Sequence, residues 1–358
     1  SLVKEAPAGM SSDETAEFFD YYGCYIESFT SNNTAGYRLY VPKKFFNDVF
    51  PLFAKLLTNS LLPEKEFEIL KSKYRETLKI NLTKTKYVAM KGLNTELFGQ
   101  QHPRGYQIDL VDVENISLED IKNFVTNNYI IADSIIMISG MVDKEIILLI
   151  DEYFGDKKLQ KSHKKQILPA LESKNEFKLY EMKESVQSSI YIGKNLGLLT
   201  DNELIDIDIL NTVLGGYFGS RLMRNIREDK GYTYGIGSFI AEYNDCAVLK
   251  ITSDVGVDVT QKAIDEIFKE IRLLTEKRIR PKELDIVRNF MLGEMMSSLD
   301  GVFQMSSVWE KMITTHKSPE FIDKQVRRLK SIKPADIYTI ANQYLSLCDF
   351  HTVVAGKI

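Results

Sequence analysis

Apolar side chains recur every three or four residues over much of the chain, which is the spacing of one face of an α-helix. The clearest case is the stretch 281–298, where Leu284, Val287, Met291 and Met295 fall on one face. The same spacing predicts helices at 11–22, 44–59, 64–84, 86–98, 118–129, 201–215, 257–277 and 334–346.

Shorter stretches alternate between apolar and polar residues, as half-buried strands do. One example is Tyr37, Leu39 and Val41. The predicted strands are 24–29, 37–41, 134–139, 177–184, 188–194, 232–240, 247–253 and 349–354. Each half of the chain thus has antiparallel strands for one layer and long helices for another. We therefore predict an α+β fold with two tandem α/β-sandwich domains.

The two halves also repeat residues at corresponding places. Asp120 and Asp336 are 216 positions apart, and Gly140 and Gly356 are separated by the same 216 positions. A repeat of this length indicates a duplicated domain rather than a solenoid.

A lysine-rich stretch between the halves is typical of a solvated connector. We predict a first domain at 1–155, a basic linker at 156–175 and a second domain at 176–358. A docking patch for an acidic partner is an alternative interpretation of the same lysines.

The bulk numbers exclude several classes of protein. The 358 residues suit two domains, and a net charge of −4 gives no electrostatic case for nucleic acid binding. No apolar run approaches the roughly 18–20 residues that span a bilayer. We therefore expect a soluble protein of the bacterial cytoplasm or periplasm. The three cysteines form no Cys-x-x-Cys pair, so they indicate neither a zinc ribbon nor a redox site.

The most informative stretch runs from Leu214 to Ser238. It contains Gly-Gly-Tyr-Phe-Gly-Ser-Arg-Leu, then Arg227-Glu228, then Gly-Tyr-Thr-Tyr234. This order resembles the second domain of the pitrilysin/insulinase/processing-peptidase (M16) family, an inverted-zincin family, in which the arginine and tyrosine also stand seven residues apart. The resemblance covers nearly the whole chain. It implies the tandem metallopeptidase fold of the LuxS and MPP type.

Arg227 and Tyr234 are the predicted substrate-binding residues. A guanidinium offers a rigid fork of donors, and a phenol adds one more. Directed at one point, they bind a peptide carbonyl and stabilise the negative charge that grows on it during hydrolysis. The alternative is structural: Arg227 would pair with Glu228 or Glu242, and Tyr234 would be half-buried in the sheet.

The resemblance also implies a zinc motif, His-x-x-Glu-His, early in the first domain. Val3 and Lys4 stand where the glutamate and second histidine would be needed. The four histidines of the chain are far apart, so none forms a pair with metal-ligand spacing: His102, His163, His316 and His351.

Glu76 occupies the position of the family's distal zinc ligand, within Phe67-Glu68-x-x-Lys71…Glu76. One carboxylate cannot hold zinc, so we interpret it as a vestigial ligand position on a charged, salt-bridging helix face. No catalytic residue and no metal are predicted in this chain.

Members of this family enclose a chamber with four related domains, and some split the zinc and the Arg/Tyr pair between two chains. The resemblance therefore implies a non-catalytic subunit that pairs with a zinc-bearing M16 homologue and is inactive alone. Extended or unfolded peptides are the expected substrates, and a homodimer is also possible. Two alternatives stay open. The chain could be a catalytically dead scaffold or peptide-binding protein, or its sequence could be a truncated form of an active zinc peptidase.

Overall fold

The computed structural model describes residues 2–31, 34–129, 134–155 and 176–358. The chain forms two compact units: unit 1 contains Ser1–Lys79 and Ile108–Ile167, and unit 2 contains Ile80–Gln107 and Leu168–Ile358. The units thus differ from the predicted domains over residues 80–107, which belong to unit 2. The predicted linker, 156–175, lies outside the described residues.

Most of the described chain is helical. The helices are α1 (Ser12–Tyr21), α2 (Phe46–Thr58), α3 (Glu64–Leu82), α4 (Thr85–Phe98), α5 (Leu110–Asn115), α6 (Leu118–Asn128), α7 (Lys144–Phe154), α8 (Asp201–Asn211), α9 (Thr260–Glu276), α10 (Pro281–Ser298), α11 (Val302–Thr314), α12 (Glu320–Ser331) and α13 (Pro334–Tyr344). Between residues 2 and 358, outside the gaps given above, no helix is long and apolar enough to cross a membrane.

The strands form two sheets. They are β1 (Tyr25–Thr30), β2 (Ala35–Tyr40), β3 (Phe177–Glu181), β4 (Gln187–Gly197), β5 (Thr233–Glu242), β6 (Ala247–Gly256) and β7 (His351–Gly356). In unit 1, β1 and β2 pair antiparallel. In unit 2 the strand order is β3-β7-β4-β6-β5. The β3–β7 pair is parallel, whereas the other neighbours are antiparallel, so this sheet is mixed.

Aromatic residues form part of the core of unit 1. Phe19 on α1 packs with Phe50 and Phe53 of α2, and all three are buried. Ser11 caps α1: its hydroxyl accepts from the Glu14 amide, and the Glu14 carboxylate accepts from the Ser11 amide. These reciprocal bonds satisfy donors that the first turn leaves open.

The prediction of a strand at 134–139 is wrong. This segment has no regular secondary structure, and it pairs with no strand among the described residues. A strand needs a ladder partner, and the described residues provide none for this segment. Ile135 and Ile136 are left 61% and 47% exposed, so the apolar run alone was a misleading signal.

Helices cover both faces of the unit 2 sheet. One face, which includes Ile192 and Ile251, packs in the main core with residues of α8, α9 and α13. The other face includes Tyr191, which packs with Leu93 and Leu97 of α4. Burying α4 against this sheet is the physical reason that residues 80–107 belong to unit 2.

An ion pair also anchors that segment. Arg104 donates two hydrogen bonds to the Asp245 carboxylate, at 3.0 and 2.6 Å, and its guanidinium stacks on Tyr243. The bonds from Arg104 hold the pKa of Asp245 below its usual value. Planar bidentate pairing of this kind is specific to arginine, so the link fixes the loop after α4 against the β5–β6 hairpin.

Candidate functional site

The stretch singled out in the sequence folds as two helical segments, a tight loop and a strand, all within unit 2. The predicted helix 201–215 ends as an α-helix at Asn211 and continues as a π-helix, Thr212–Gly216. A second π-helix, Met223–Asp229, carries Arg227. The wider i→i+5 turns of π-helices are rare, and they are frequent at functional sites.

Gly215 brings the first π-helix directly against β5. A Cβ atom at this position would lie 2.5 Å from Ser238 Oγ and 2.8 Å from its backbone nitrogen. Real Cβ atoms do not approach other atoms so closely, which leaves room only for glycine. The glycine-rich sequence is thus explained by close packing of helix on strand.

Two of the arginines in the stretch are engaged by the protein itself. Arg221 donates to both carboxylate oxygens of Glu283 on α10, at 2.7 and 3.1 Å. Arg224 donates to the Gly219 carbonyl at 3.3 Å, across the loop. These bonds hold the loop and the second π-helix in place.

Arg227 differs from these two arginines. Its guanidinium carbon lies 4.5 Å from the ring centroid of Phe218 and 5.6 Å from that of Tyr234. Aromatic faces attract a cation without neutralising it. Within the part of the chain that the structure describes, no carboxylate lies within 4.0 Å of this guanidinium, so its charge is available to a ligand.

The alternative pairing of Arg227 with nearby glutamates is not found. Glu242 instead accepts from Lys317, at 2.8 Å. Glu228 is exposed on the π-helix, and among the described residues it forms no ion pair. The structural interpretation of Arg227 therefore loses both of its proposed partners.

Tyr234 is 91% exposed rather than half-buried. It lies in a β-bulge: Thr233 pairs with Val255 and Ile236 with Ser253, so β5 has one residue more than β6. The extra residue turns side chains away from the regular alternation. Because β5 is an edge strand, the bulge projects the phenol from the rim of the sheet.

Two hydroxyl groups hold the bulge in shape. The Thr233 hydroxyl accepts from the Gly235 amide at 3.0 Å, and it lies 2.6 Å from the Asp254 carbonyl oxygen. Ser253 Oγ lies 3.1 Å from the Gly235 carbonyl oxygen. Backbone groups that the bulge removes from the ladder are thereby satisfied.

A glycine turn brings the second π-helix back to β5. Gly231 has φ +65°, a conformation that favours glycine, and the Tyr232 amide donates to the Ile226 carbonyl at 3.0 Å. The turn places Arg227 and Tyr234, which stand seven residues apart, on two elements that face each other.

Phe218 is a site residue that the sequence interpretation missed. It is 62% exposed in the loop between the π-helices, where it forms the nearer of the two aromatic contacts to Arg227. The available signal was an aromatic residue in a glycine-rich loop, but glycines in such a loop indicate close packing rather than a binding site.

The residues that the sequence analysis expects at the zinc positions do not fit a metal. Val3 is buried and apolar, and Lys4 donates to the Ile26 carbonyl at 3.4 Å. Glu76 is exposed and pairs with Lys79 at 2.9 Å and with Arg75 at 3.5 Å. The Lys79 hydrogen bond lowers the pKa of Glu76, followed by the charges of its two cationic neighbours. Over the described ranges, no group of three or more His, Cys, Asp or Glu is arranged to hold a metal ion.

One described histidine likewise has a structural role. His102 is buried, stacks on Phe98 and accepts from the Arg104 amide at 3.0 Å. Burial lowers the pKa of His102, followed by the charge of Arg104. His163 lies outside the described residues.

Comparison with known sequences shows similarity to one family. The model of the peptidase M16 inactive domain matches residues 115–291. A Bacillus subtilis protein named as an uncharacterised zinc protease, YmxG, is 26% identical over 339 residues, covering 93% of this chain and 81% of the relative. A Helicobacter pylori protein named as a non-peptidase homologue, YmxG, is 22% identical over 258 residues, covering 70% of this chain and 58% of that protein.

Solved structures share the fold over the whole length. The crystal structure of a peptidase M16 inactive domain from Pseudomonas fluorescens has a TM-score of 0.90 at 19% identity, covering 100% of this chain and 87% of the other. The structure of a protease from Helicobacter pylori has a TM-score of 0.89 at 16% identity, covering 99% and 87%. The predicted α+β fold is thus confirmed.

Proposed function

Because the model of the peptidase M16 inactive domain matches residues 115–291, we propose that this chain is the non-catalytic subunit of a heteromeric zinc peptidase. It supplies Arg227 and Tyr234 to a site whose zinc and general base belong to a homologous partner chain. The reaction is hydrolysis of peptide bonds in extended or unfolded polypeptides.

One observation carries the proposal: Arg227 keeps an unneutralised cation beside an exposed phenol on an edge strand. Its guanidinium is stacked rather than ion-paired among the described residues, and Tyr234 is almost fully exposed. A purely structural pair would gain more from burial and a carboxylate partner. Donors held ready before substrate arrives are what stabilisation of an oxyanion requires.

The position of the pair also suits an extended substrate. An edge strand presents unpaired N–H and C=O groups, and a peptide can add to them as a further strand. Tyr234 lies at the start of β5, so a peptide aligned on this strand passes Arg227 and Tyr234, the pair that we call the clamp. In this proposal Arg227 and Tyr234 bind the backbone carbonyl, orient it and stabilise its developing charge, while the partner's zinc activates water.

The direct test begins with the native complex, purified through a tag on the full-length gene product. We expect a second M16 chain to co-purify, to contain the zinc by elemental analysis, and to cleave quenched fluorescent peptides only when both chains are present. Subunit mass analysis distinguishes this heteromer from a homodimer.

Site variants then test the clamp. Arg227→Ala and Tyr234→Phe are each expected to lower kcat/KM by about 10²-fold, the usual cost of one oxyanion donor. Arg272→Ala, an exposed arginine on α9, is the matched control and is expected to leave the rate unchanged. Normal rates in both clamp variants, or zinc-dependent cleavage by this chain alone, would falsify the proposal.

A second candidate is a peptide-binding scaffold without catalysis. The observation that favours it is the name of the Helicobacter pylori relative, a non-peptidase homologue. A native complex that binds unfolded polypeptides, contains no zinc and cleaves nothing would establish this alternative. Stoichiometric zinc in this chain's own full-length product would instead favour an active peptidase.

A further inference from the structure

A small polar cavity of about 150 Å³ opens beside the bulge that carries Tyr234. It lies within unit 2, between the start of α4 and the strands β4, β5 and β6. Its lining residues are Lys86, Tyr191, Gly235, Ile236, Gly237, Thr252, Ser253 and Asp254. One molecule of liquid water takes up about 30 Å³, so a cavity of this volume holds a few water molecules or a single polar side chain.

The strand beside the cavity contains glycines that packing does not require. A Cβ atom at Gly235 would meet nothing within 4 Å, and one at Gly237 would meet only the Gly215 carbonyl oxygen, at 3.6 Å. Glycine inside a strand weakens it and often marks a place where a ligand or another backbone approaches closely. The open space over Gly235 is therefore consistent with an approaching chain.

The cavity has an oriented acceptor on one wall. Ser189 Oγ donates to Asp254 Oδ1 at 2.5 Å and lies 2.9 Å from Thr85 Oγ1, which fixes the carboxylate. The second oxygen, Oδ2, has no hydrogen-bond or ion-pair partner in the ranges that the structure describes. It can accept from a ligand.

Donors stand on the other walls. Burial, followed by the charge of Asp254, raises the pKa of Tyr191 to about 12, so its phenol keeps its proton at neutral pH. Lys86, in the first turn of α4, forms no ion pair with any described residue. Neither side chain donates a hydrogen bond to the described part of the protein.

We propose that this cavity is a side-chain subsite for a glutamine or asparagine of the peptide held by Arg227 and Tyr234. A carboxamide is both donor and acceptor, so its NH₂ group suits Asp254 and its oxygen suits Lys86 and Tyr191. A cationic guest can pair with Asp254 only beside the like charge of Lys86, and an anionic guest can pair with Lys86 only beside the like charge of Asp254. This inference rests on the proposed function, since it takes the clamp to hold the neighbouring backbone.

The test uses the purified full-length chain and labelled nine-residue peptides, measured by fluorescence anisotropy. Glutamine, glutamate, lysine or leucine is placed in turn at each of the five central positions of an alanine-based host. At one position we expect glutamine to bind about fivefold more tightly than the other three guests, the effect of about one hydrogen bond.

The variants separate this inference from the proposed function. Asp254→Asn and Lys86→Met are expected to abolish the preference for glutamine while leaving the other peptides within twofold. Lys86 is exposed, so its replacement does not threaten folding. Arg227→Ala is expected to weaken all peptides alike.

Each remaining outcome also decides. If no position prefers glutamine, or if the preference persists in both Asp254→Asn and Lys86→Met, the subsite is wrong whatever the clamp does. If Arg227→Ala binds every peptide normally but Asp254→Asn loses the preference, the result supports the subsite and rejects peptide binding by the clamp. Absence of binding to any peptide rejects both.

Discussion

The guanidinium carbon of Arg227 lies 4.5 Å from the ring centroid of Phe218, closer than it lies to the ring of Tyr234. Stacking uses the face of the guanidinium and leaves the N–H groups at its edge free to donate. Phe218 is therefore the residue that orients the cation, and in the proposed function Tyr234 joins it at the substrate.

Replacing Phe218 tests this relationship. We expect Phe218→Leu to weaken peptide binding about two- to fivefold, because an exposed cation–π contact contributes about 0.5–1 kcal/mol. The free energy of unfolding stays unchanged, since the ring is mostly exposed. Anisotropy titration and urea denaturation measure the two quantities.

Phe177→Leu is the matched control, at an exposed phenylalanine on β3, the opposite edge strand. Its affinity for peptides is expected to equal that of the wild type. An equal loss in both variants would show that Phe218 has no special effect on Arg227.

The bidentate pair between Arg221 and Glu283 is expected to stabilise the site rather than to act on substrate. Both side chains are only about one-fifth exposed, at 19% and 20%. Glu283→Gln should lower the free energy of unfolding by about 1–2 kcal/mol, because it leaves a partly buried guanidinium without its charge partner. Chemical denaturation measures this loss.

Lys269→Gln serves as the comparison, since it removes the exposed partner of a salt bridge with Glu266. No measurable change in unfolding is expected for it. If the two variants unfold alike, the pair between Arg221 and Glu283 is no more important than a surface contact.

Gly215 and Gly293 should respond in opposite ways to alanine. At Gly215 the added methyl would lie 2.5 Å from Ser238 Oγ, whereas at Gly293 it would meet nothing within 4 Å. We expect Gly215→Ala to destabilise unit 2 by about 1–3 kcal/mol through overpacking. Gly293→Ala, inside α10, should stabilise it by about 0.5–1 kcal/mol.

Thermal and urea unfolding of the two variants give these values. Destabilisation by both would mean that alanine fails for a reason other than the close approach to β5. Tolerance of alanine at Gly215 would contradict the helix–strand contact itself.

The pair between Arg104 and Asp245 predicts a dependence of stability on pH. Arginine lowers the pKa of Asp245, so its contribution to stability is complete above the ordinary carboxyl pKa and is lost as pH falls through the lowered value. Asp245→Asn should cost about 1 kcal/mol at pH 6, a value kept small because the carboxylate is 48% exposed.

The difference between wild type and Asp245→Asn is therefore expected to shrink as the pH falls from 4 towards 2. Asp300→Asn, at an exposed aspartate after α10, provides the control and should show no such convergence. A difference that stays constant down to pH 2 would contradict the assignment of stability to this ion pair.

Much of the fold follows from periodicity, which is a local property. The predicted bounds of α10 at 281–298 agree with the structure, since an amphipathic face and Pro281 at its first position are both readable in the chain. Helices α5, α7, α11 and α12 were not predicted. The segment 134–139 was predicted wrongly, because strand formation depends on a partner elsewhere in the chain.

The sequence by itself determined the spacing of Arg227 and Tyr234 and the wide separation of the four histidines, and it predicted the family pattern. Only the tertiary structure decided that Arg227 stacks on Phe218, that Tyr234 projects from a bulge, and that residues 80–107 pack with the second sheet. Spacing along a chain says which residues can meet. Charge pairing, burial and strand register depend on residues far away in sequence, which only the folded chain brings together.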